Sequence, residues 1–179
     1  MPFEFEKTHL DGVLVIKPKT FFDNRGFFRE VFKSSDFKKK VGDVVFVQDN
    51  FSYSVKNVIR GLHFQKKPKE QAKIVMCIYG EIFDVAVDLR NESPNYLRWF
   101  GIRLSSNNGF MLYIPKGFAH GFAVLSESAC VYYKCDEEYS FEHDSGVRYD
   151  DPDIGVKWGV ENPILSDKDL KLPYIKDLK

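Results

Sequence analysis

The chain has 179 residues, 44% hydrophobic and 16% aromatic, with 17 Phe and 9 Tyr, enough for one domain with a sizeable core. Its 26 Lys and Arg balance 26 Asp and Glu, which excludes the basic field of a nucleic-acid surface, and no apolar run reaches the roughly 18 residues of a membrane-spanning helix. Three cysteines without a Cys-x-x-Cys pair exclude a disulfide framework and suit a reducing compartment. Together with an N-terminus (residues 1–7) that carries two acids and no apolar stretch, this points to a cytoplasmic protein.

Residues 13–18 read as a strand, followed by the turn Phe22-Asp23-Asn24-Arg25-Gly26 and a second strand over 27–32. A helix is predicted over 34–41, opened by Ser34 and Ser35 and stopped by Gly42. Strand-like runs then recur about every ten residues, at 44–50, 58–64, 73–79, 81–89, 99–104, 110–114, 121–125 and 129–135. Short aromatic and β-branched runs broken by Gly, Pro, Asn and Ser predict an all-β sandwich or small barrel. After residue 150 the chain is loop-rich, with a short helix near 166–172.

Side chains on a strand alternate between faces. In the run 83–89, Phe83, Val85, Val87 and Leu89 form the core set, and Asp84 and Asp88 share the other face. In 129–135, Tyr133 falls with Ala129, Val131 and Cys135 and reads as inward, while Tyr132 falls with Lys134 and reads as outward. His63 and Gln65 share parity with Ile59 and Gly61, which places two polar groups where a barrel points inward. Gly61 and Pro68 leave the parities of Arg60 and Lys73 open, because either can bulge or bend the chain.

Two punctuated stretches organise these strands. The first reads His63-x-Gln65-x4-Glu70, ending at Gly80, and the second Gly109-x5-Pro115-x-Gly117-x2-His120. This is the spacing of the two cupin motifs, so a double-stranded β-helix (cupin or jelly-roll barrel) with a few short helices is expected. An amide at Gln65 stands where a metal ligand is usual, and the cation Lys73 lies close by, so no bound metal is expected. A site holding His, Lys, Tyr and carboxylates suits proton transfer at carbon. His63 is a base for a hydrogen α to a carbonyl, and Lys73 or Arg60 can stabilise the enolate oxygen. Tyr133 can return the proton on the opposite face. Asp169 stands in Ser166-Asp167-Lys168-Asp169, which has capping-box spacing; it either caps a helix or orients His63.

Several stretches, in order, resemble the dTDP-4-dehydrorhamnose 3,5-epimerase family: Asp-Asn-Arg-Gly-Phe-Phe-Arg-Glu (23–30), Val-Gln-Asp-Asn (47–50), Arg-Gly-Leu-His-Phe-Gln (60–65), Asp-Val-Ala-Val-Asp-Leu-Arg (84–90), Ile-Pro-Lys-Gly-Phe-Ala-His-Gly-Phe (114–122), Tyr-Tyr-Lys-Cys (132–135) and Leu-Ser-Asp-Lys-Asp (165–169). The resemblance implies a metal-free cupin with no cofactor that inverts C3 and C5 of a dTDP-linked 4-keto-6-deoxyhexose. It implies His63 as base, Asp169 as its dyad partner, Tyr133 as acid, and Lys73 near the C4 oxygen. Arg25, Glu30, Gln48, Asn50, Arg60, His120 and Lys168 correspond to substrate-contacting positions, and Tyr139 to the aromatic that stacks on thymine. Asp144 stands where the family usually has Glu. A homodimer is implied, with the N-terminal segment, about residues 1–32, packing on the partner. Three other readings compete: a single-centre epimerase of the same family, a metal-dependent cupin oxygenase or isomerase, and a non-catalytic sugar-nucleotide binding module.

Overall fold

Aromatic and β-branched runs form strands wherever Gly, Pro or Asn allows the chain to turn. The structure is a computed structural model that describes residues 2–178. The strands are β1 (Phe3–Lys7), β2 (Leu14–Pro18), β3 (Thr20–Asp23), β4 (Gly26–Arg29), β5 (Gln48–Val55), β6 (Ile59–Gln65), β7 (Lys73–Tyr79), β8 (Glu81–Asp88), β9 (Trp99–Ser105), β10 (Met111–Ile114), β11 (Phe118–Val124), β12 (Ser128–Cys135) and β13 (Asp144–Gly146). The helices are α1 (Ser34–Val41) and α2 (Asp167–Leu170), and a 3-10 turn spans Ile175–Asp177.

One sheet has the order β1-β2-β10-β7-β12-β5 and the other β13-β6-β11-β8-β9. Every strand pairing is antiparallel. Strands β5, β7, β10 and β12 lie in the first sheet and β6, β8, β9 and β11 in the second, so the chain crosses repeatedly between two facing layers. This is the jelly-roll topology of a double-stranded β-helix, as the motif spacing predicts.

Apolar residues sort into three layers. Leu112, Ile114, Val75, Val131, Ile82, Ala86 and Phe122 fill the space between the sheets. On the outer side of the first sheet, Ile16, Ile74, Met76 and Met111 pack under Phe3 and Phe37, the latter carried by α1. On the outer side of the second, Leu62, Val85, Val87 and Ala119 pack under Val147, Ile154 and Trp158 from the tail. Both sheets are therefore covered on both faces along much of their length, and simple in–out alternation breaks down there.

That layering corrects one face assignment. Phe83, Val85 and Val87 belong to the outer cluster beneath the tail, while Ile82 and Ala86 face the barrel interior. Asp84, of the same parity as Ile82 and Ala86, is fully buried and reaches His120. Tyr133 packs with the inner cluster and Tyr132 with the outer one, as alternation predicts.

Most element boundaries fall close to expectation, with a few shifts. The strand expected at 44–50 runs instead over Gln48–Val55, and β11 begins at Phe118 rather than 121. Helix α1 has the expected span, but Lys33 is its N-cap residue and no side chain caps it; Gly42, at φ 86°, ends it. The expected strand 27–32 is the second half of a hairpin, β3–β4, that joins neither main sheet. Strands β1 and β2 pair within this chain's own first sheet, whereas the β3–β4 hairpin joins neither main sheet.

Candidate active site

The second sheet brings His63 and His120 together, because β6 and β11 pair with His120 opposite His63. The register then slips, and Phe122 stands opposite Arg60. Gly61 makes the slip possible: its φ is +136°, and a Cβ there would lie 2.5 Å from the Cα of Gly121. Only glycine fits such a close approach in that conformation. The bulge resolves the ambiguous parity of Arg60. Arg60 and His63 both face one cavity, while Ile59 and Leu62 turn to the outer cluster. The parity shared by Ile59 and His63 in the sequence therefore does not mean a shared side.

The cavity has a volume of about 470 Å³, within the range of small-molecule sites. From the second sheet it is lined by Arg60, His63, Gln65, His120 and Phe122, and from the first by Gln48, Asn50, Lys73, Tyr133 and Cys135. Tyr139, Asp144 and Lys168 complete one end. Arg25 and Glu30 do not reach it. Arg25 pairs with Asp23 at 2.6 Å on the hairpin, its side chain 85% exposed.

His63 Nε2 lies 2.5 Å from Asp169 Oδ1. Asp169 is buried and is delivered by α2, whose N-cap is Ser166: the Asp169 backbone N–H donates to Ser166 Oγ at 3.1 Å. Capping and orientation both occur, at different atoms. The backbone of Asp169 satisfies the cap, and its carboxylate is left for His63. With Nε2 donating to the carboxylate, the lone pair of a neutral ring sits on Nδ1.

A second pair lies deeper. His120 Nε2 is 2.8 Å from Asp84 Oδ1, and Asp84 Oδ2 has no hydrogen-bond partner among the described residues. Burial lowers the pKa of Lys73 below its ordinary value, opposed by the nearby carboxylate of Asp84 among other groups. Burial likewise raises the phenol of Tyr133, so it stays protonated at neutral pH. Burial also pushes the Cys135 thiol up to about 11, so a thiolate nucleophile is not available there.

Gln65 is committed to the backbone. Its Nε2 donates to the carbonyls of Lys69 at 2.6 Å and Glu138 at 3.2 Å, and its Oε1 accepts from the Ser140 N–H at 2.7 Å. Glu70 does not converge with the histidines; it lies in a separate groove with Lys67, Arg90 and Gly117. Among the described residues no group of three His, Cys, Asp or Glu side chains is placed to hold a metal ion.

At the outer end, Tyr139 Oη donates to Asp144 Oδ2 at 3.1 Å, and Lys168 Nζ pairs with the same oxygen. Gln48 Oε1 accepts from the Tyr139 N–H at 2.7 Å, and Gln48 Nε2 donates to Asn50 Oδ1 at 3.0 Å. Arg60 Nε donates to Ser54 Oγ at 2.9 Å. Residues not singled out from sequence also line the cavity, among them Phe64, Gln71, Phe122 and Cys135. Cys135 was within reach of alternation, which puts it on the face of Tyr133. Asp84 was not, because its strand is buried on both sides.

A family model described as dTDP-4-dehydrorhamnose 3,5-epimerase matches residues 7–177. A dTDP-4-dehydrorhamnose 3,5-epimerase of Methanothermobacter thermautotrophicus is 52% identical over 170 residues, covering 93% of this chain and 91% of that protein. Among solved structures, a Legionella pneumophila dTDP-6-deoxy-D-glucose-3,5-epimerase in complex with dTDP-4-keto-L-rhamnose superposes with a TM-score of 0.95 at 41% identity, covering 99% of this chain and 95% of that one. The Bacillus anthracis dTDP-4-dehydrorhamnose 3,5-epimerase with TDP and pyrophosphate bound gives 0.94 at 45% identity, covering 97% and 99%.

Proposed function

The chain belongs to the dTDP-4-dehydrorhamnose 3,5-epimerase family, an isomerase family, and we propose from that membership how its own cavity carries out the double inversion on dTDP-4-dehydro-6-deoxy-D-glucose to give dTDP-4-dehydro-L-rhamnose. His63, held by Asp169, removes the hydrogen from a carbon α to the C4 ketone. The electron pair moves into an enolate whose oxygen is stabilised by the Lys73 ammonium. Tyr133 donates a proton to the same carbon from the other side. His63 is left as imidazolium and Tyr133 as phenolate, and proton exchange with solvent resets both. Repeating the sequence at the second α-carbon completes the double inversion.

One observation carries this reading: His63, held by Asp169 of α2, stands on the second sheet and Tyr133 on the first, with the cavity between them. Inversion requires a base and an acid on opposite faces of the sugar ring, and two facing sheets supply them. The α-hydrogen of a ketone is acidic enough for these side chains to act on without a cofactor. Tyr139, half exposed at the cavity mouth, offers a platform for the thymine, Arg60 and Lys168 supply donors toward the diphosphate and sugar, and His120, its Nε2 engaged by Asp84, is a further polar contact on the cavity wall.

The active form is a homodimer. Strand β5 is an open edge of the first sheet and carries exposed Phe51, Tyr53 and Val55, while the hairpin exposes four Phe side chains. A patch of this kind suits a second copy of the chain. The hairpin then carries Arg25 and Glu30 into the partner's cavity. Among the described residues no helix is long and apolar enough to cross a membrane, and unpaired cysteines suit the cytoplasm. Incubating the protein with dTDP-4-dehydro-6-deoxy-D-glucose in D2O should place deuterium at C3 and C5 and yield the L-rhamno product, followed by NMR. Binding without any exchange would favour a non-catalytic module, and exchange at one carbon a single-centre epimerase.

A further inference from the structure

Hairpin β3–β4 pairs only with itself, so something other than sheet hydrogen bonding must set the direction in which it leaves the body. Hairpin residues Phe27, Phe28 and Arg29 share a groove with Met76, Cys77, Ile78 and Gly109 of the body, and among them Arg29 makes the closest approach to Gly109. Arg29, the last residue of β4, donates from Nε to Thr20 Oγ1 at 2.8 Å, which ties the two strands together at their base. Its guanidinium then lies across Gly109 in the loop before β10. A Cβ at Gly109 would sit 1.8 Å from Nη1 and 2.1 Å from Cζ of Arg29, so the guanidinium occupies space that any side chain at position 109 would claim. The same group lies 5.0 Å from the centre of the Phe27 ring, which joins the exposed aromatic face of the hairpin to the seat. A planar fork fits this slot, whereas an ammonium on a flexible stem does not.

We infer that Arg29, seated on Gly109, is a positioning residue for the active site of the neighbouring subunit. By fixing the angle of the hairpin it fixes where Arg25 and Glu30 stand against the substrate in the partner's cavity. This rests on the homodimer proposed above. Arg29 touches no reacting atom, so its loss should be felt in substrate binding rather than in the proton transfers.

Mixed dimers test this directly. Arg29→Ala should raise KM about tenfold and leave kcat within about twofold, with an unchanged circular dichroism spectrum, and Arg29→Lys should not restore it. Gly109→Ala should raise KM in the wild-type background and add nothing to Arg29→Ala, because both remove one contact. A hybrid of an Arg29→Ala subunit with a His63→Asn subunit then has one site with an intact His63, and that site receives its hairpin from the subunit that keeps Arg29. Its KM should return to the wild-type value. A hybrid whose KM stays raised shows that Arg29 acts within its own subunit and overturns the inference, as does an unchanged KM in Arg29→Ala itself. Native mass spectrometry at the assay concentration separates the two layers: a monomer there overturns the dimer reading, and the action across subunits with it.

Discussion

At the scale of single residues, Asp169 has two jobs that can be pulled apart. Its backbone N–H completes the cap supplied by Ser166, while its carboxylate holds His63. Ser166→Ala should therefore cost about 1 kcal/mol of stability and little turnover. Asp169→Asn should lower kcat at least about a hundredfold with little change in melting temperature; the opposite pattern would make Asp169 a capping residue only. Lys73 gives a pH signature. Burial lowers its pKa below the ordinary value of 10.5, and in the proposed mechanism the ammonium is the form that stabilises the enolate. Activity should then fall as pH rises through that lowered value, before the ordinary lysine range. Lys73→Arg, charged throughout, should move the basic limb upward whatever it does to the maximal rate, and a limb that stays in place would assign it to another group. That His63 and Tyr133 face the cavity was legible from motif spacing and strand parity together with the family resemblance, whereas Lys73, its parity open, rested on the resemblance and on its closeness to the motif. Asp84 was not, since parity alone cannot tell a barrel interior from a face covered by another layer.

At the scale of elements, the bulge between β6 and β11 sets the direction of two residues that line the cavity. Gly61 at φ +136°, with the Cα of Gly121 2.5 Å from where its Cβ would be, turns Arg60 and His63 to the same side. Gly61→Ala should cost at least about 2 kcal/mol and abolish turnover by displacing His63. Gly159 provides a control. It too has a positive φ, +71°, but nothing lies within 4 Å of a Cβ there, so Gly159→Ala should cost about 1 kcal/mol with turnover kept. Equal effects at the two positions would remove the bulge from the account. The sequence signalled a bend at Gly61 without saying which way it turned Arg60. The runs 73–79 and 34–41 match to the residue, and each is closed by a glycine, Gly80 and Gly42. Strand β5 was misplaced by several residues: Val44, Val45 and Val47 look strand-like, yet strand β12 pairs only from Gln48 onward. Strand β13 has only three residues and no apolar alternation, so it exists only through pairing with β6.

At the scale of the whole molecule, two facing sheets enclose the cavity, and the jelly-roll order was implicit in the spacing of the two motifs, the even strand spacing alone pointing only to a sandwich or small barrel. The outer layers were not. The tail reads as loops, and its packing through Val147, Ile154 and Trp158 depends on contacts far apart in sequence. The standing of Arg25 and Glu30 outside the cavity of their own chain could be anticipated only through the family resemblance, which implies an N-terminal segment packed on a partner; nothing in strand spacing or parity signals it. The proposed mechanism depends on opposed faces: His63 on one sheet removes a proton and Tyr133 on the other returns it. Tyr133→Phe tests this most directly, with dTDP-4-dehydro-6-deoxy-D-glucose in D2O and NMR at C5. Deuterium should enter at C5 mainly with retained configuration, and little C5-inverted product should form, because removal survives while the opposite-face donor is gone. Inversion at C5 at the wild-type rate would show that the acid lies elsewhere and contradict the opposed-sheet mechanism.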